Sequence, residues 1–222
     1  MKTFIRFSIW IAILMVATVV CEAQNRTRPS GERGDRSERS ERGDRGNRSE
    51  RGDREKRIGI RVKSGNMAFK ITEKGQERNA NFIFDDYGAS FRIEWGNEST
   101  IVDAATKKAY NLNHTNKTYS EANSFAALLS LYLFTYVGDD PIAKEYQDYK
   151  KLPNRTIADK NCKVFSYTQK SATITLGGWR GLLFLNEDSG KSFIATSFTE
   201  TIPENSFTVP PDYQFVENEI EK

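Results

Sequence analysis

The 222 residues carry 33 Lys and Arg against 30 Asp and Glu, with one His and two Cys. So few histidines and cysteines exclude metal sites built from clustered His and Cys ligands, and the near balance of charge argues against a uniformly basic nucleic-acid binder. The charge is unevenly placed: residues 24–57 hold 11 Arg and 1 Lys against 8 acids, a net of +4, residues 1–23 hold +1, and residues 58–222 are left at −2.

Residues 1–23, MKTFIRFSIWIAILMVATVVCEA, place Lys2 and Arg6 ahead of an apolar run from Phe7 to Val20, then small residues at Cys21 and Ala23. This is the pattern of a secretory signal peptide, with cleavage expected after Ala23. The apolar run is shorter than the roughly 20 residues a spanning helix needs. Lipid modification at Cys21 is the alternative, but Val20 stands where such a signal wants a small residue. Cys162 is then the remaining thiol, so no internal disulfide is expected and the exported domain relies on its apolar core.

Residues 24–57 repeat ERGDRxxR from Glu32, Glu41 and Glu50 and contain no Val, Ile, Leu, Met, Phe, Trp, Tyr or Cys. With nothing to bury against an ordering cost of about 1–2 kcal/mol per residue, the segment is expected to be a disordered, solvated tether. Its signs alternate, and it lacks the aromatics that an RNA-binding tail interleaves for base stacking, so no nucleic acid is expected. The three Arg-Gly-Asp copies come from one duplicated unit and count as a single observation. A tail of this kind suits weak contact with an outer membrane or anionic envelope polymers.

From residue 58 onward, short alternating runs predict strands. In MAFKITE, Met67, Phe69 and Ile71 share one face; Phe82 and Phe84 do so in NFIFDD, and Phe91, Ile93 and Trp95 in ASFRIEW. Asp85 to Gly88 reads as the turn between the last two. Further strands follow at Ile101–Val102 and Tyr110–Leu112, pointing to an antiparallel meander with one apolar face. SFAALLSLYLFTYV, 124–137, is apolar on every side, with caps at Ser120 or Asn123, and is expected to be a short helix buried against that face. The polar stretch through Tyr146, Tyr149 and Leu152 to Pro153 is read as a second short helix. Strands resume at 162–169, 172–179, 181–187 and 191–200, with a bulge or close approach at Gly177-Gly178. The run Phe207 to Tyr213, with Pro210 and Pro211, is expected on a sheet edge.

SGNMAFKIT, FDDYGASFRIE, IADKNCKVFSY, the WRGLLF stretch and the closing FTVPPDY, in this order, resemble the LolA-like periplasmic proteins of Gram-negative envelopes across nearly all of residues 58–216. The resemblance implies a mainly β domain at 58–222, a curved antiparallel sheet, or half-barrel, covered by a short apolar helix and receiving lipid acyl chains. It implies a periplasmic location and a cargo of lipid or acylated protein. Departures limit it. Trp179-Arg180-Gly181-Leu182-Leu183 lacks the Lys and Pro common in relatives, and the basic residue and loop that let a true carrier address its partners have no match.

The chemistry of a catalyst is thinly represented. His114 lies in a turn and is expected to be exposed; Cys162 on a strand reads as a small buried hydrophobe. Asp85 and Asp86 fit a hairpin turn better than an acid and base pair. The sequons at Asn97 and Asn116 carry meaning only in a eukaryotic secretory route. No enzyme activity, cofactor or metal is expected. What remains is an apolar face, and the candidate lining is Phe69, Ile71, Phe82, Phe84, Phe91, Ile93 and Trp95, with Trp179, Leu183 and Leu185 from the second half and Leu128, Leu131 and Phe134 on the covering helix. The expected function is a periplasmic module that binds lipid or lipoprotein, holding an acyl chain between sheet and helix. The alternative is a non-catalytic structural envelope protein with a charged tether.

Overall fold

The computed structural model describes residues 59–138 and 141–217; the expectations for residues 1–57 lie outside them. The described residues form strands β1 (Gly65–Glu73), β2 (Gln76–Asp85), β3 (Ser90–Trp95), β4 (Glu98–Asp103), β5 (Lys108–Asn113) and β6 (Thr118–Glu121), then helix α1 (Ser124–Leu131). A second run follows: β7 (Lys150–Ile157), β8 (Lys160–Gln169), β9 (Ala172–Trp179), β10 (Leu182–Glu187), β11 (Lys191–Thr199) and the short β12 (Gln214–Phe215). All twelve belong to one sheet, ordered β12-β6-β5-β4-β3-β2-β1-β11-β10-β9-β8-β7. Neighbours are antiparallel except β12, which runs parallel to β6. The architecture is the expected one, an open curved antiparallel sheet, mainly β, with one short α-helix.

Local sequence explains the meander. Tight hairpins are closed by left-handed pairs, Lys74-Gly75 (φ 52° and 78°), Ala158-Asp159 (45° and 60°), Lys170-Ser171 (48° and 69°) and Arg180-Gly181 (48° and 79°). Such turns match the right-handed twist of the strands they join. Asp85 fixes the turn after β2 as predicted, its Oδ1 accepting from the Asp86 N–H at 2.8 Å. Asp86, Tyr87 and Gly88 then run left-handed at φ 46°, 60° and 90°.

The alternating side chains sort as period two requires. Met67, Phe69 and Ile71 of β1, Phe82 and Phe84 of β2, and Phe91 and Ile93 of β3 are buried in one cluster on the inner face. Each buried Phe side chain contributes about 1.5–3 kcal/mol.

Three expectations need correction. The stretch before Pro153 is not a helix: a 3-10 turn at Pro141–Glu145 gives way to β7 from Lys150, with Pro153 inside it. β7 ends the sheet order, where a missing N–H breaks no ladder on its open side, and a register shift between Leu152 and Arg155 absorbs the proline. At the other edge, the paired residues are Gln214 and Phe215, just beyond the Pro210-Pro211 turn, rather than 207–213. The helix, finally, is not buried. Of α1, only Ala127 is buried, while Phe125 is 71% exposed and Leu128 44%. No helix among the described residues is long and apolar enough to cross a membrane.

Candidate functional site

The inner face is closed by the segment that leads out of β6. Asn123 caps α1, its Oδ1 accepting from the N–H groups of Phe125 and Ala126 at 3.0 and 3.1 Å. The chain tightens into a 3-10 turn at Tyr132–Phe134, and Thr135 then bridges Leu182 while the Tyr136 N–H donates to the Gly181 carbonyl at 2.9 Å. The covering segment is tied to the sheet just ahead of α1, where the Ala122 N–H donates to the Ala109 carbonyl at 2.8 Å, and again beyond Phe134 at Thr135 and Tyr136.

Phe134 is the side chain that fills the face. It is fully buried, stacks on Phe82 with ring centres 4.3 Å apart at 11°, and tilts against Phe69 at 5.5 Å and Trp95 at 6.3 Å. Phe193, absent from the candidate lining, stacks on Phe69 at 4.3 Å and meets Phe134 edge-on at 5.7 Å. Contacts of this geometry add about 0.5–1.5 kcal/mol per pair beyond burial. Alternation in KSFIATSF would have found Phe193, since Phe193 and Ala195 are the buried positions of β11. A second anchor follows at Tyr136, whose ring lies so close to the backbone of Gly178 that an added Cβ would stand 2.0 Å from its Cγ. This is the close approach that the glycine pair in β9 signalled.

The structure brings together most of the candidate lining and removes part of it. Phe69, Ile71, Phe82, Phe84, Phe91, Ile93 and Phe134 share the inner cluster, and Leu131 packs against it. Leu183 joins them, but Leu185 is buried outside the cluster, beside Gly177 and Val164. A register shift between Leu183 and Leu185 inserts Phe184, breaking the alternation on which their common placement rested. Leu128 points outward on α1 and lines nothing on the inner face. Trp95 sits at the rim, 38% exposed. Trp179 packs against the edge of the same cluster, meeting Phe184 at 6.3 Å and Phe198 at 5.6 Å, and its ring is approached by Lys160 Nζ at 5.1 Å and Arg180 Cζ at 4.7 Å.

The candidate reactive groups are held in structural contacts. Burial pushes the Cys162 thiol up to about 11, and along the sheet order β9, β10, β11 and β1 to β4 lie between its strand β8 and the end of β5 where His114 stands. His114 is half-buried rather than exposed, its Nδ1 2.5 Å from the Tyr213 hydroxyl. With Lys117 Nζ at 2.9 Å from Asp212 Oδ2, it fastens the C-terminal segment to the β5–β6 turn. The Lys117 ammonium, hydrogen-bonded to Asp212, holds that carboxyl below its usual range.

No family model matches the chain, and no curated protein matches it. Solved structures share its strand layout faintly. An uncharacterized conserved protein from Thermus thermophilus aligns with a TM-score of 0.46 and 12% identity over 70% of this chain and 91% of that one. The MucA/MucB complex of Pseudomonas aeruginosa gives 0.42 and 14% over 70% of this chain and 59% of that one. PNGF-II gives 0.41 and 11% over 72% of this chain and 31% of that one. Likeness this faint says nothing about ligand, partner or activity.

Proposed function

We propose that the chain is an exported, periplasmic binding module, without catalytic activity, that takes one acyl chain of a lipid or acylated protein between the inner face of the sheet and the segment 124–137. The observation that carries this reading is Phe134. One aromatic side chain occupies the centre of the inner face, and beside it Trp95 stands half-open at the rim. An acyl chain entering past Trp95 takes the place of Phe134, which swings out as the contacts of Thr135 with Leu182 and of Tyr136 with Gly181 open. In this reading residues 1–23 direct export and residues 24–57 tether the domain to the envelope.

Magnitudes set the length of the ligand. Each buried methylene gains about 0.8 kcal/mol. Removing a packed Phe from a core costs about 3–5 kcal/mol, and association costs at least about 4 more. A chain of about eight carbons gains roughly 6 kcal/mol and fails to bind, whereas one of about sixteen gains roughly 13 and succeeds. The test is titration with fluorescent fatty acids of eight and sixteen carbons. The long probe binds the native protein and binds Phe134→Ala or the milder Phe134→Leu more tightly, because the displaced side chain is already gone. Absence of binding to the native protein and to both variants overturns the proposal.

A second reading, a structural envelope protein with a charged tether, is favoured by the same filled face. It predicts no probe binding in any variant.

A further inference from the structure

The opposite face of the sheet holds a separate depression. After β11 the chain turns back across the outer face, and residues Pro203 to Ser206 roof a groove of about 360 Å³ whose floor is Ala68 of β1, Asn81 and Ile83 of β2, and Arg92 and Glu94 of β3. Asn66 and Ser197 complete its walls. The floor residues face one side because register places them so: Asn66 opposes Ile83, Ala68 opposes Asn81, Ile83 opposes Arg92, and Asn81 opposes Glu94.

The polar groups here are only partly used. Glu94 spends one oxygen on the Asn81 amide, at 2.9 Å, and the other on Arg92 Nε, at 2.8 Å. That second contact is an ion pair without an aligned hydrogen bond, so the buried Nε–H is left unsatisfied. The Arg92 side chain is 15% exposed, and Glu94 is its one charged partner among the described residues. Its terminal N–H groups, the Asn81 carbonyl oxygen and the Asn66 amide have no partner among the described residues. Of these polar groups only the Arg92 Nε–H is buried without a partner; the others open on the solvent of the groove, where an incoming polar group can take the place of water.

The chemistry narrows what that is. Glu94 already cancels the charge of Arg92, so an anion entering the groove meets a carboxylate as well as a guanidinium and gains little. No aromatic ring lines the groove, which leaves a sugar without a stacking platform. A neutral group offering one acceptor and one donor, with a small apolar body, fits all three features. We infer that the groove binds an extended peptide segment: its carbonyl accepts from the Arg92 fork, its N–H donates to the Asn81 carbonyl oxygen or the Asn66 amide oxygen, and a small side chain rests on Ala68 and Ile83. This site is independent of the inner face and of what that face holds.

The experiment is a titration of the isotope-labelled full chain with N-acetyl-Ala-Ala-N-methylamide, read by amide chemical shifts. Saturating shifts are expected at the Asn66 and Asn81 side-chain amides and the Asn205 and Ser206 backbone amides. Binding falls at least roughly tenfold in the double variant Arg92→Gln/Glu94→Gln, which leaves no unpaired charge, and severalfold in Asn66→Ala, which leaves the ion pair alone. Shifts that do not saturate by about 10 mM overturn the inference. Tighter binding of acetate, or of N-acetylglucosamine, overturns it as well, in favour of an anion or a sugar.

Discussion

Residues 124–131 and 132–137 are equally apolar and continuous in the chain, yet the first group lies on the surface and the second carries the buried anchors. Phe125 is 71% exposed and Phe134 not at all. The difference lies in what each reaches. Phe134 and Tyr136 descend onto aromatic side chains and a glycine that admits a ring, whereas α1 buries Ala127 alone and adds to the core only the partly buried Leu131 at its end. Hydrophobicity decides that a segment seeks cover; the facing surface decides which of its side chains obtain it.

That contrast is open to direct attack by substitution. The largest effect is expected at the buried end, where Phe134→Ala removes contacts with four aromatic rings and lowers unfolding free energy by about 3–5 kcal/mol in urea titration. A smaller loss, about 1–3 kcal/mol, follows from Gly178→Ala, because the new methyl displaces the Tyr136 ring from its seat. Phe125→Ser and Leu128→Ser, at the exposed end, change stability by no more than about 0.5 kcal/mol. A loss at Leu128 comparable with that at Phe134 would mean that the helix, not the turn after it, holds the cover in place.

The strands of the first half are readable in the sequence because apolar inner positions alternate within each: Met67, Phe69 and Ile71 in β1, Ala80, Phe82 and Phe84 in β2, and Phe91 and Ile93 in β3. The same rule failed where the backbone departs from two-residue periodicity. Leu185 changes face behind the bulge at Phe184, and β7, reading KKLPNRTI, has no apolar alternation because Lys150, Lys151, Pro153, Asn154, Arg155 and Thr156 all face solvent. Their polarity suits an edge, where charge and proline deter pairing with another chain. The role of Phe134 was legible only as one apolar residue among many in 124–137, since its stacking depends on strands distant in sequence. The groove under Pro203 to Ser206 left no local signal, because it requires the outer positions of β1, β2 and β3 to be read together with a segment far later in the chain.

One pairing in the sheet bears on how the chain reaches its final form. β1 lies between β2, its hairpin partner, and β11, where Lys70 pairs with Ile194. A polypeptide emerging from its amino end can zip the first six strands early, but the seam that joins the two halves waits until residue 199 has appeared. Long-range closure of this kind slows folding, so the two runs of strands stay unjoined until the last long strand of the sheet is available to pair with β1.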